Sequence, residues 1–156
     1  MGLLKTTRNT LVRKCCIEVI PAMYKSIASF TQGDNLDIAI KEILDFIRMP
    51  NNKDRGQGFI SMGKLSSLVQ HKDFEKYIDP ILQLIHDEVR VPPRGRDGLI
   101  KLTADLDSLT CMKYLLRNFG PQLKSKVDMY ALINDIFYTG YNRQVIECLG
   151  EISKIC

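Results

Sequence analysis

The chain has no tryptophan, only two histidines, and no cysteines at CxxC spacing. Each scarcity removes a class of chemistry. His71 and His86 have no cysteine pair near them and so make a poor zinc set; they read as surface histidines. With so few imidazoles, no Ser-His-Asp or Cys-His arrangement is credible. The five cysteines (Cys15, Cys16, Cys111, Cys148, Cys156) are odd in number, and four fall in helical periodic segments. That pattern predicts reduced core thiols in a cytosolic or nuclear protein rather than a disulfide framework. No apolar run approaches the ~18–20 residues of a membrane span. Leu3-Leu4 is too short an apolar core for a signal peptide. Charge of one sign is not concentrated: the net charge is +4, and the lysines and arginines are scattered.

What the chain does have is apolar periodicity. Of 156 residues, 45% are hydrophobic and 26% charged, enough to fill a core and too apolar for disorder. The period is 3.6 nearly throughout, without strand alternation. It predicts helices at about 8–31, 35–48, 54–70, 74–90, 99–118, 122–138 and 142–156. Asp34 and Asp73 read as N-caps, as does Asn142 after Gly140. Gly120-Pro121 reads as a stop followed by a start. Val91-Pro-Pro-Arg-Gly-Arg-Asp-Gly98, with two prolines and two glycines, reads as an exposed loop.

A short apolar phrase recurs on the first helix of each successive pair. The copies are Ile17, Ile20, Pro21, Met23, Ile27; then Phe59, Ile60, Met62, Gly63, Leu65, Leu68, Val69; then Leu106, Leu109, Thr110, Met112, Leu115, Leu116; then Val145, Ile146, Leu149, Gly150, Ile152, Ile155, Cys156. Their central residues, Pro21, Gly63, Thr110 and Gly150, are 42, 47 and 40 residues apart. A helical repeat of that length is the signature of an α-solenoid, a fold that presents surface rather than chemistry. The second helices carry wide stripes: Ile38, Ile40, Ile43, Leu44, Ile47; Tyr77, Ile78, Ile81, Leu82, Leu84, Ile85; and Met129, Leu132, Ile133, Ile136, Phe137. The expected architecture is all-α, about three and a half helix-pair repeats in one segment spanning 1–156, with approximate bounds 8–50, 51–97, 98–140 and 141–156. Pro21 and Pro80 are expected to bend their helices. Pro21, Gly63 and Gly150, alike in position, read either as a site of close helix approach or as a tolerated kink with no further role.

The remaining motifs are weak. Asp105 and Asp107 are two apart on a helix and do not face each other, which disfavours a paired-carboxylate site. Arg55-Gly56-Gln57-Gly58 lacks the Lys-Ser/Thr of a P-loop and the strand before it, and reads as a turn fraying into a helix. Arg90, Arg94 and Arg96 form a small basic cluster without interleaved aromatics; it reads as a solvated connector, with a nucleic-acid or acidic partner as the lesser reading. Met1-Gly2-Leu3-Leu4-Lys5-Thr6 fits the permissive N-myristoylation pattern.

Paired helices of period near 40 with an apolar second helix resemble HEAT repeats of the armadillo type. A narrower resemblance lies in Asp54-Arg-Gly-Gln-Gly-Phe-Ile-Ser-Met-Gly-Lys-Leu-Ser-Ser-Leu-Val69, Asp73-Phe-Glu-Lys-Tyr-Ile-Asp-Pro-Ile-Leu-Gln-Leu-Ile85, Thr110-Cys-Met-Lys-Tyr-Leu-Leu-Arg-Asn-Phe-Gly-Pro121 and the run from Asn142 to Ile155. In this order, over residues 8–156, they resemble the N-terminal HEAT region of target-of-rapamycin (TOR) kinases. The resemblance implies a parent serine/threonine protein kinase of the phosphatidylinositol-kinase-related group that controls growth in response to nutrients. This region would be its scaffold, cytoplasmic, or nuclear, or peripheral on endomembranes through its complex. Partners would be the rest of the kinase and a Raptor-type subunit, with no nucleic acid and no direct membrane insertion. The family's catalytic motifs lie elsewhere; no catalytic, cofactor-binding or metal residue is assigned here, no cofactor is expected, and no partner-binding residue can be chosen. Because the fourth copy lacks its second helix, the chain is expected to be a fragment of a longer protein. The alternatives are an independent HEAT or armadillo adaptor of the transport or phosphatase-regulator type and a HEAT-like nucleic-acid binder such as an alkylated-base glycosylase. The latter is disfavoured by the missing tryptophan and by aromatics expected on core stripes.

Overall fold

The computed structural model describes residues 10–26, 34–49, 52–69, 71–90 and 104–155. Among these residues every regular element is helical: α1 Thr10–Ser26, α2 Asp34–Arg48, α3 Arg55–Ser66, α4 His71–Phe74, a 3-10 turn Glu75–Tyr77, α5 Ile78–Val89, α6 Asp105–Lys126, α7 Met129–Tyr138 and α8 Arg143–Ile155. The expected all-α class is what is found. Residues Ile27, Val91–Gly98, Arg94, Arg96, Cys156, the Met1–Thr6 motif and the repeat bounds at 8, 50, 51, 97 and 98 lie outside the described residues.

The chain turns its apolar periodicity into two sides. On α2, Leu36, Ala39, Ile40, Ile43 and Phe46 follow helical spacing and are buried, while Lys41, Asp45 and Arg48 face outward. On α8 the spacing Val145, Cys148, Ile152 does the same work. The most extensive helix contacts run α1 to α3, α3 to α6 and α6 to α8, so the helices that carry the recurring phrase stack in one row. The second helices pack on this row: α2 mainly on α3, and α5 on α6. Among the helices runs a continuous buried core in which Phe46, Phe59, Phe74 and Phe119 are fully enclosed. Each such side chain stabilises the fold by roughly 1.5–3 kcal/mol, which exceeds the local cost of the glycines in these helices.

Several local expectations are corrected. Gly120-Pro121 does mark a break: Phe119 takes non-helical φ −127° and ψ 20°, so α6 is two helices joined at a kink, but the second ends at Lys126 and not at 138. A further break comes at Val127, which is extended, and Asp128 caps α7 by accepting from the Tyr130 and Ala131 amides. The kink stacks Phe119 on Phe74, ring centroids 5.3 Å apart, and Gly120 lets Ile155 of α8 approach: a Cβ there would lie 2.4 Å from its Cγ2. Asp73 is not a cap; it sits inside α4, because the chain there folds as a four-residue helix and a 3-10 turn that bury Phe74 and Tyr77. Pro80 consequently falls in the first turn of α5, where its missing N–H has no intrahelical partner to lose. Pro21, by contrast, is inside α1 and buried. Asn142 is the cap that the sequence indicated, accepting from the Val145 amide at 3.0 Å beside Gly140, whose φ is +90°.

The recurring phrase is only partly equivalent in space. At Gly63 the approach is real: a Cβ would lie 2.7 Å from Tyr114 Cδ2 and 3.2 Å from the Cys111 Cα of α6. At Gly150 nothing lies within 4 Å. Leu106 and Ile146, four residues before the central positions, are exposed, whereas Ile17 and Phe59 are buried. This position is thus buried in the first two copies and faces solvent in the later two, although α6 itself packs against both α3 and α8. Ile38, Phe137, Leu68 and Met23 are likewise exposed at about two-fifths, so the stripes were drawn one position too wide.

Candidate interaction surface

The residues singled out for chemistry do not assemble. His71 packs its ring against Phe119 at 4.6 Å. His86 places Nδ1 2.9 and 3.0 Å from the two Asp135 carboxylate oxygens. Among the described residues no three His, Cys, Asp or Glu side chains gather as metal ligands. Asp107 is half-buried against Gly56, and burial, with Asp105 adding to it, pushes its carboxyl above the usual range. Gly56 and Gly58 are not in a turn. They occupy the first turn of α3 and are buried, Gly58 against Ile47 and Phe46 of α2, because helices from both neighbours close on that end. Arg90 is no free cation: Nε and Nη2 donate to Asp135 at 3.2 and 2.8 Å, and its guanidinium stacks 4.3 Å from the Tyr138 ring. The cysteines split. Cys111 and Cys148 are buried, with burial pushing both thiols up, Cys148 to about 12, and Cys148 donates to the Leu109 carbonyl; Cys15 is exposed instead of in the core.

What the structure does bring together are ion pairs that tie helices distant in sequence to one another. Glu88, almost fully buried at the end of α5, accepts from Arg55 Nε and Nη2 at 2.9 and 2.8 Å and from the Ala104 amide at 2.6 Å. One carboxylate thereby joins the start of α3, the end of α5 and the entry to α6. Arg55 is itself held by the Asn52 carbonyl, and buried Asn52 donates to Phe46 O at 2.7 Å. Tyr77 donates a short hydrogen bond to Asp37, linking the 3-10 turn to α2; this bond holds the Asp37 carboxyl below its usual range, and burial followed by Asp37 raises the Tyr77 phenol. None of these pairs was legible beforehand. The partners are 33 to 49 residues apart, and no local spacing rule links them.

Between α6 and α8 the pairs form a ladder. Glu147 receives Lys113 and Arg143; Glu151 receives Arg117 and Lys154. Hydrogen bonds from Lys113 and Arg143 hold Glu147 below the usual carboxylate range. At Glu151 burial works in the opposite direction, but the hydrogen bonds from Arg117 and Lys154 outweigh it and the group is also lowered. A depressed folded-state pKa gives stability that is complete above the unfolded value of 4.5 and is lost as pH falls through the folded values. Melting temperature, followed from neutral pH to about pH 3, is expected to drop below pH ~4.5, and more shallowly in E147Q/E151Q. An identical acid limb in wild type and variant would show that the ladder contributes nothing.

The exposed surface carries more aromatic area than the stripes implied. Tyr130, Tyr138 and Tyr141 are 83%, 56% and 89% exposed, and Phe137 and Ile146 lie near them in sequence on α7 and α8 with half their area open. The polar Asn134 and Arg143 faces that separate them in sequence gave no sign of this, since the apolar stripe of α7 reads as core at either orientation. Between α5, the end of α6 and α7 lies an open groove of about 420 Å³, lined by Asp79, Leu82, His86, Met112, Leu132 and Asp135 among others. No described helix is long and apolar enough to cross a membrane.

Comparison with known proteins gives one informative match. Over 150 residues, 96% of this chain, the sequence is 19% identical to the serine/threonine-protein kinase mTor of Drosophila melanogaster. The chain spans 6% of that kinase's length. No family model matches, and no solved structure does. A distant likeness to one stretch of a TOR kinase, carried by an all-helical chain, is therefore what the comparisons establish.

Proposed function

We propose that this chain is a structural and protein-interaction segment: a stretch of HEAT-type α-solenoid from a TOR-like serine/threonine protein kinase that couples growth to nutrients. The observation that carries this reading is the collinear likeness to Drosophila mTor over 96% of the chain, which covers only 6% of that kinase. It is supported by the row of first helices α1, α3, α6 and α8, in which each helix packs on the next, as stacked repeats do. On this reading the segment performs no reaction. Its first-helix row transmits rigidity along the solenoid through the Glu88 junction and the α6–α8 ladder, and its second-helix side is presented to partners, a Raptor-type subunit among them, in the cytoplasm.

The test is immunoprecipitation from the native cell with an antibody raised against the purified chain. The expected result is capture of a very large polypeptide whose peptides include both this sequence and a kinase domain, with protein kinase activity in the precipitate. Recovery of a 17.8 kDa species alone would reject the kinase segment in favour of an independent helical adaptor.

A further inference from the structure

We infer that the groove between α5 and α7 is a docking site for a basic amphipathic helix of a protein partner. Two independent features point to that occupant. The first is shape. The α5 wall of the groove runs from Asp79 to His86 and the α7 wall from Asp128 to Asp135. Each wall is eight residues long, two helical turns or about 10 Å from first to last, so the depression is a trough along two helices and not a closed cavity. Its floor is aliphatic, with Leu82 from α5, Met112 from α6 and Leu132 from α7. A volume of about 420 Å³ takes a few aliphatic side chains, and a trough two turns long matches anchors at i, i+3, i+4 and i+7 of a helix.

The second feature is charge. With histidines neutral, α1, α3 and α6 each carry a formal charge of +2 and α8 is neutral, whereas α2 carries −2, the stretch from His71 to Val89 carries −3 and α7 carries −1. The mild overall balance thus hides a segregation by helix, with the second helices acidic. At the groove itself the cations are already answered: Lys126 pairs with Glu75, and Arg90 with Asp135. Asp79 and Asp128 on the two walls enter no ion pair among the described residues; Asp128 accepts only from the two amides it caps. An apolar floor under a net acidic rim selects a ligand with aliphatic anchors and flanking lysine or arginine, and steers its approach at low ionic strength. This holds whether or not the chain belongs to a kinase.

The experiment is a fluorescence-anisotropy titration of the 156-residue chain with a fluorescein-labelled helical peptide built of leucine and lysine at i, i+3, i+4 spacing. The control peptide has glutamate in place of lysine. The lysine peptide is expected to bind, weakening as salt is raised, and the glutamate peptide to bind about tenfold less tightly or worse. D79N/D128N is expected to weaken the lysine peptide about five- to tenfold, because asparagine still caps α7 while both rim charges are gone. A131W, at an exposed groove-lining position, is expected to fill the trough and abolish binding without changing the melting temperature. The inference is overturned if wild type does not bind the lysine peptide, if both peptides bind alike, or if D79N/D128N and A131W, folded by circular dichroism, bind as wild type does.

Discussion

Gly63→Val is expected to destabilise the protein by about 1–3 kcal/mol, and Gly150→Ala, at the same place in the recurring phrase, to stabilise it by about 0.5–1 kcal/mol. The opposite signs follow from what stands across from each residue. A Cβ at Gly63 enters Tyr114, 2.7 Å from Cδ2, and lies 3.2 Å from the Cys111 Cα. Tyr114 has little room to withdraw, because the Lys113 ammonium and Arg117 guanidinium lie 5.2 and 5.9 Å from its ring centroid, and Cys111 Cα is backbone. The α3–α6 contact, the most extensive in the fold, would have to open. A branched side chain adds two further methyls to the overlap. At Gly150 no atom lies within 4 Å, so alanine adds no clash and only removes the excess backbone freedom of an exposed helical glycine. Urea denaturation of both variants decides the matter, with melting temperatures moving about 2–4 °C per kcal/mol for a chain of this size. Shifts of the same sign in both variants would show that Gly63 does not set the helix spacing.

Glu88→Ala is expected to be the more damaging change, costing about 3–5 kcal/mol. The side chain of Glu88 is 9% exposed and that of Arg55 20%, so the pair lies in a region of low effective dielectric. Removing the carboxylate takes the acceptor from two guanidinium donors and from the Ala104 amide at once, three bonds at a junction of three helices. Much of the cost is the charge left behind, which makes a second variant informative. Arg55→Met/Glu88→Leu removes both charges and is expected to recover part of the loss, the remainder being the orphaned Ala104 amide. Thermal unfolding by differential scanning calorimetry measures both. If the double variant were as unstable as Glu88→Ala, the penalty would lie in packing and not in the uncompensated arginine.

The parts of this fold that were legible in sequence are those governed by local rules. Apolar residues at spacings of three and four placed α2 and α8, and the C-terminal ends of α5 and α7, within one residue of their bounds, because a helix of that pattern has one surface to bury whatever it packs against. Asn142 was legible as a cap because the capping bond reaches only three residues ahead. Gly120-Pro121 was legible as a break because glycine and proline act locally, and α6 is interrupted at Phe119. Asp73 misled for a tertiary reason: burying Phe74 against Phe119 favours an irregular four-residue α4 over the capped helix that the local signals describe. The candidate surface was the least legible. Glu88, Asp135 and Glu151 look like ordinary surface carboxylates in sequence. They become junctions only because helices 33 to 49 residues away bring arginine or histidine to them.

By itself, then, the sequence determined the helical class and the recurrence of one apolar phrase, since 3.6-residue periodicity and short-range capping are properties of a helix in isolation. Tertiary structure decided which positions of the phrase are buried and which face solvent, and which glycine is a contact and which is open. Those are properties of neighbours, fixed by the stacking of α1, α3, α6 and α8, and a repeating sequence pattern carries no record of which neighbour each copy meets.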